Sequence, residues 1–214
     1  MLELTELNFQ EAIRYLGSAR VPVNDTMTAL MEECEKLVLE AAAPKFRYEV
    51  RDLPWPDIMA GEDVGRHLDG CEKAVLMCAT LGAGVDKLLR VMQVQDMAKA
   101  VVIDALASVA IEQVCEKFDD LIHEEYPDWY QTFRFSPGYG DYPIEMQRTV
   151  LQLLDAPRKI GLTVNDSMLL VPTKSETAVM GLSREPIKKG PRGCATCNLK
   201  ETCQFRKSGG HCKE

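Results

Sequence analysis

Apolar residues recur at helical spacing through the first forty or so positions of the chain. Asn8 stands three residues before Glu11 in a capping-box-like start, and Ala12, Ile13 and Leu16 follow at helical spacing until Gly17. After Pro22, Asn24 or Asp25 can cap a second helix. Its Met27, Leu30, Met31, Cys34, Leu37, Val38 and Ala41 form one apolar stripe, which Pro44 ends. The period then changes to two. Phe46, Tyr48 and Val50 alternate with Lys45, Arg47, Glu49 and Arg51, which predicts a half-exposed strand closed by Pro54 and Pro56. Glu62 to Leu68 allows one or two helical turns between Gly61 and Gly70, with His67 on the surface. Ala74 to Thr80 carries no charge and reads as a buried strand running into Leu81-Gly82-Ala83-Gly84, then a helix. That turn is not a dinucleotide-binding fingerprint, since Lys87 stands where the third Gly would be needed.

From Val85 to about Tyr126 no Pro or Gly interrupts the chain, and positions 97 to 111 are apolar on nearly every side. A helix apolar all round must be buried. The pattern therefore predicts one long spine, and about 35 helical residues would span roughly 50 Å. An aromatic, Pro/Gly-rich loop follows from Pro127 to Pro143, then a helix from Ile144 to Leu154 ended by Asp155-Ala156-Pro157. Ser167 to Val171 and Thr177 to Ser183 are strand candidates flanking a turn at Pro172-Thr173-Lys174-Ser175. Beyond Ser183 the composition changes abruptly, which places a boundary near residue 184. The expectation is an α+β domain over residues 1–183, a long central helix packed on a mixed or antiparallel sheet, with a C-terminal Cys-rich metal-binding appendage over 184–214.

Composition narrows the class. With 214 residues, 46% hydrophobic and 27% charged, the chain fits neither a disordered, a collagenous nor a disulfide-scaffold protein. The net charge of -8 is uneven: residues 184–214 hold 8 Lys+Arg against 3 Asp+Glu, and the remainder 17 against 30. So acidic a body disfavours nucleic acid as a partner, because duplex binding needs cations to displace counterions from phosphates. The start MLELTELNFQ lacks the basic and apolar character of a signal peptide, and no apolar run reaches the ~20 residues of a membrane span, so the expectation is a cytoplasmic chain without a membrane partner.

Three features can carry chemistry. Asp104, Ser108 and Glu112 fall at i, i+4, i+8 on the apolar spine, so something polar must meet that stripe: an internal ion pair, a solvated edge, or a ligand presenting an ammonium or hydroxyl. In Arg134-Phe135-Ser136-Pro137-Gly138-Tyr139-Gly140 a cation precedes a rigid Pro and two Gly, a loop able to wrap a ligand, with Arg offering a donor fork suited to a carboxylate. A plain turn with a surface Arg is the alternative. Last, Cys194, Cys197, Cys203 and Cys212 lie within 19 residues, a density that points to metal rather than disulfides in a reducing compartment, with zinc held by four thiolates as one reading. Lys200, Arg206 and Lys207 would favour the thiolates. Cys34, Cys71, Cys78 and Cys115 read as core, His67 and His123 as surface.

The loop Arg134-x-x-Pro137-Gly138-Tyr139 resembles the RxxPGY signature of the activation domain of vitamin B12-dependent methionine synthase, which binds S-adenosylmethionine (SAM). The resemblance runs over roughly residues 74–183, through Ala79-Thr80-Leu81-Gly82, Asp104 to Glu116, Ile160-Gly161-Leu162-Thr163, Pro172 and Val179-Met180-Gly181. It implies that Arg134 holds the SAM carboxylate, that backbone around Ser136, Pro137, Gly138 and Tyr139 meets the adenosyl end, and that Glu112, with Asp104 on the same stripe, lies near the ligand. It implies further a role in repairing oxidised cobalamin: a one-electron donor reduces the cobalt and SAM supplies the methyl. The chain would then be a stand-alone reactivation subunit, an accessory to a methyltransferase, whose partner is a cobalamin-binding methionine synthase subunit. A task that consumes an electron adds a [4Fe-4S] cluster to zinc as a candidate for the Cys cluster. The competing reading is an iron-sulfur or zinc electron-transfer or regulatory protein acting through that cluster; a weaker one is a zinc knuckle that docks through its basic tail.

Overall fold

In chain order the elements are α1 (Phe9–Tyr15), α2 (Asp25–Ala41), β1 (Lys45–Asp52), a 3-10 turn at Pro56–Ile58, α3 (Glu62–His67), β2 (Lys73–Thr80), α4 (Ala83–Gln95), α5 (Met97–Glu125), β3 (Tyr130–Gln131), α6 (Met146–Leu153), α7 (Ala156–Lys159), β4 (Thr163–Val164), β5 (Leu170–Val171) and β6 (Ser175–Ser183). This computed structural model describes residues 4–17, 24–187, 201, 202 and 207. The caps follow the sequence: the Asn8 side chain accepts from Glu11 N, and that of Asn24 from Met27 N.

A strand whose middle is apolar on both faces has to be covered on both, and β2 and β6 show how. β2 pairs antiparallel with β1 and β6, with Met77 between Tyr48 and Ala178, and the main sheet runs β1-β2-β6-β3, wholly antiparallel. On one face Val75, Met77, Ala79, Ala178, Met180 and Leu182 pack with the buried sides of α2, α4 and α5. On the other, Ala74, Leu76, Cys78 and Val179 pack with residues of α3, α6 and α7. Three layers result, with β2 and β6 as the shared core. Each large apolar side chain so buried contributes about 1.5–3 kcal/mol. Phe46 and Tyr48, from the alternating strand, close the first face through edge contacts with Phe118 at 5.5 and 5.3 Å.

The predicted single spine is two helices. Asp96 leaves helical geometry (φ -155, ψ 96) and its side chain accepts from Lys99 N at 3.1 Å, ending α4 and capping α5. An Asp that satisfies a first-turn amide competes with helix continuation as effectively as a Gly, although the chain has neither Gly nor Pro there. The 29 residues of α5 remain, and its buried side chains run from Ala100 to Ile122. The helix expected from Ile144 begins at Met146, and the strand expected over Ser167–Val171 shrinks to Leu170–Val171. The Asn165 side chain takes the amides of Ser167 and Leu169 and makes that stretch a turn. Cys34, Cys78 and Cys115 are buried as expected, and Cys71 is half-buried. Cys194, Cys197, Cys203 and Cys212 lie outside the described residues. Among the described residues no helix is long and apolar enough to cross a membrane.

The α2–α4 junction supplies a packing test. Gly84 sits so close to the end of α2 that a Cβ there would lie 2.2 Å from the Ala41 carbonyl oxygen. Gly84→Ala is expected to lower stability by about 1–3 kcal/mol through overpacking. Gly65→Ala, whose Cβ would meet only Met59 Cε at 3.8 Å, should be neutral or slightly stabilising. Thermal denaturation of the two variants side by side checks both.

Candidate functional site

The site is built by one extra residue in an edge strand. Tyr130 and Gln131 pair with Ser183 and Leu182, and Thr132 N donates to the Gly181 carbonyl. The next bridge joins Phe135 to Val179. From Thr132 to Phe135 is three steps, whereas Gly181 to Val179 is two, so this segment contains a β-bulge, a device that re-aims side chains. Strict alternation would put Arg134 on the same side as Thr132. The bulge instead turns Arg134 toward α5, the side to which Gln131 also reaches by donating to the Asp119 carbonyl at 3.4 Å. Phe133 and Phe135 turn the other way, around His67, which lies 4.6 and 4.9 Å from their rings. His67 is therefore not the surface residue expected from the sequence. It is half-buried, with Nε2 2.8 Å from the Thr132 hydroxyl, which in turn accepts from Gly181 N at 2.8 Å. The bulge folds over α3 and covers it.

Turned inward, the Arg134 side chain keeps only 14% of its surface exposed and meets three carboxylates. Nη2 donates to Glu112 Oε2 at 3.1 Å; Nε lies 3.2 Å from Glu176 Oε1; Nη1 lies 3.4 Å from Asp119 Oδ2. Burial disfavours the guanidinium charge, but Glu176, Asp119 and Glu112 outweigh it and hold its pKa above the ordinary value. The acids bear the opposite strain. Burial pushes the Asp119 carboxyl up to about 6 despite Arg134, and burial together with neighbouring Glu176 raises Glu112. Three acids against one cation leave an excess of negative charge.

The loop after Arg134 is held by a reciprocal clasp. The Asp141 carboxylate accepts from the amides of Glu62 and Asp63 at 2.8 and 2.9 Å, and Asp63 Oδ2 accepts from Asp141 N at 3.0 Å. Those amide bonds lower the Asp141 pKa. A Cβ on Gly140 would lie 2.1 Å from Asp63 Oδ2, so glycine is what lets the two carboxylates close. Within the loop Gly138 N donates to the Tyr142 carbonyl, with φ 94, and Tyr139 N to the Ser136 carbonyl. Pro137 is buried and the Tyr139 side chain stands out. Burial, then the charges of Glu176 and Glu112, raise the Tyr139 phenol, whose ring stands edge-on to Phe135 at 6.1 Å.

Of the residues singled out from the sequence, the structure brings Arg134 and Glu112 together, with Ser136, Pro137, Gly138 and Tyr139 in the adjoining loop. Asp104 stands apart. It and Ser108 are met by Lys174, whose Nζ lies 2.8 Å from Asp104 Oδ1 and 2.8 Å from Ser108 Oγ. The polar stripe of α5 thus has two counter-charges, Lys174 for its first half and Arg134 for Glu112. Asp119 and Glu176 escaped the sequence reading. Asp119 was detectable in principle, being seven positions after Glu112 and so on the same helix face. Glu176 was not, because only the register opposite Ala79 shows which face of β6 it occupies. Groups of three or more metal-ligating side chains are absent among the described residues.

No protein-family model matches the chain, and no curated protein sequence matches it. Among solved structures it is similar to the MetH reactivation domain bound to AdoHcy, with a TM-score of 0.51 and 16% identity over 94% of this chain and 73% of that one.

Two outcomes test the site's geometry. Asp141→Ala should speed hydrogen exchange at the Glu62 and Asp63 amides and lower the melting temperature. Asp119, raised from 3.8 to about 6, binds a proton in the folded chain that it releases on unfolding between those values, so its share of stability grows as pH falls from above 6 toward 4. Asp119→Asn should remove that increment from the stability–pH curve and raise stability most at neutral pH.

Proposed function

We propose that this chain binds SAM at the Arg134 loop and supports the reductive methylation of cobalamin carried by a B12-dependent methionine synthase partner. The observation that carries the reading is the RxxPGY loop delivering its Arg against the long helix, in a fold similar to that of the MetH reactivation domain bound to AdoHcy. The residues fit the ligand in charge. Arg134 Nη1 is a buried donor without a hydrogen-bond partner, suited to a carboxylate oxygen. The acids beside it outnumber the cation by two, and SAM, with an ammonium and a sulfonium against one carboxylate, brings a net positive charge that offsets part of that excess. Arg134 would hold the carboxylate, Glu112 and Glu176 would face the cationic groups, and the backbone from Ser136 to Tyr139 would meet the adenosyl end.

SAM, when bound, supplies an activated methyl group. The chain's own residues orient and neutralise: the clasped loop and the ion-paired guanidinium are fixed before the ligand arrives, which turns a chance encounter with a corrin into an aligned one. A one-electron donor completes the set of partners. We further propose that residues 1–183 and 184–214 are separate units, supported by the end of β6 at Ser183. In the tail, Cys194, Cys197, Cys203 and Cys212 hold zinc or a [4Fe-4S] cluster, a reading that rests on their spacing alone.

Calorimetry with SAM should give saturable binding that Arg134→Ala weakens at least about tenfold, the scale of a hydrogen bond to a charged group. Circular dichroism establishes that the variant folds, and Arg134→Lys, which keeps the charge and loses the fork, should fall in between. Equal binding by Arg134→Ala rejects the site. Elemental analysis of anaerobically purified protein decides the tail: iron with sulfide and a brown colour, or zinc alone.

A further inference from the structure

We infer that Asp119 occupies, on the free Arg134 guanidinium, the place a ligand carboxylate takes, so that binding exchanges one carboxylate for another and Asp119 sets the affinity. The inference rests on the SAM reading and names the group that the ligand must displace.

The three partners of Arg134 are not equivalent. Glu112 makes a directed hydrogen bond to Nη2, and Glu176 approaches Nε from a strand fixed by pairing with β2. Asp119 is farthest: its Oδ2 stands 3.4 Å from Nη1, which is buried without a hydrogen-bond partner, and its other oxygen, Oδ1, is buried and without one as well. A buried donor beside an acceptor that does not engage it costs free energy on both sides, and a carboxylate with better alignment would recover it. Nη1 has no open approach, so the newcomer must move Asp119 aside.

The surroundings make that exchange cheap. Besides Arg134, the charges facing Asp119 are Glu176 on β6 and Glu116 and Asp120 on its own helix, while Gln131 on β3 engages only its backbone carbonyl. All three charged neighbours other than Arg134 repel it. Burial, in addition, already holds its carboxyl near 6, so a mildly acidic solution neutralises it while a SAM carboxylate stays ionised. Protonation of Asp119 releases the guanidinium. Protonation of Glu112, also raised by burial, would act in the opposite direction, because it removes an acceptor for the ligand ammonium.

The test is calorimetry of SAM binding to the full chain at pH 7.5 and 5.5, for wild type and Asp119→Asn. Exchange predicts that Asp119→Asn binds roughly three- to tenfold more tightly at pH 7.5, the worth of one typical hydrogen bond, and that this advantage over wild type shrinks at pH 5.5, because Glu112 titrates in both proteins and Asp119 only in wild type. If wild type binds SAM and Asp119→Asn binds no better at pH 7.5, or its advantage over wild type is the same at both pH values, the exchange is wrong and the SAM site stands. If wild type does not bind SAM at either pH, the SAM reading fails and the exchange falls with it. Asp119→Ala carries the same two expectations, so an unfolded Asp119→Asn would still leave a decision.

Discussion

A guanidinium withdrawn from water against an apolar helix has to be surrounded by acceptors, and that requirement organises the functional half of this protein. Arg134 reaches α5 because the edge strand carries one residue more than β6 can match between Thr132 and Phe135. Once there it needs anions, and it finds them on two elements that meet only in the folded chain: Glu112 and Asp119 from the helix, Glu176 from the sheet. Removing the guanidinium would leave three carboxylates facing one another in a half-buried place, where such imbalance costs most. The bulge, the helix and the central strand are therefore coupled through a single side chain.

Around that point the molecule is stiff for ordinary reasons. β2 and β6 are covered on both faces, so neither layer of helices can shift without opening a core. The loop after Arg134 would be the exception, being long and rich in Gly. It is fixed to the start of α3 by the paired carboxylates of Asp63 and Asp141, which use backbone amides as donors and so hold the chain path itself. His67, on the far side of the bulge, fills the space between Phe133, Phe135 and Thr132 and supports it from behind. A ligand meeting Arg134 encounters a surface arranged before it arrives.

Local pattern was enough for the elements whose signal is local. The α1 and α2 caps, the alternation of β1, the uncharged run of β2 and the apolar body of α5 all follow from residues within a few positions of one another. The spine break was also local, but Asp96 carries it by a side-chain cap rather than by an absent Cβ or amide, and Pro/Gly punctuation does not register that. The site was half legible. Arg134 and Glu112 stand out because a cation in a Gly/Pro loop and an acid on an apolar helix each need a partner. That they partner each other depends on the bulge, and a bulge is a mismatch between two strands more than forty residues apart. Glu176 and the Asp63–Asp141 clasp are likewise consequences of register and loop docking.

The charge balance of the site links stability to selectivity. In the free protein the surplus carboxylates are a burden: burial and mutual repulsion raise Glu112 and Asp119, so part of the folding free energy is spent keeping them ionised at neutral pH. A ligand that brings a net positive charge relieves that repulsion, and anything that binds the folded state alone stabilises it in proportion to its affinity. On the SAM reading, the sulfonium supplies the cation that a neutral thioether lacks. On that reading, a site uncomfortable when empty would favour the methyl donor over its demethylated product by charge, without a contact to the methyl group itself.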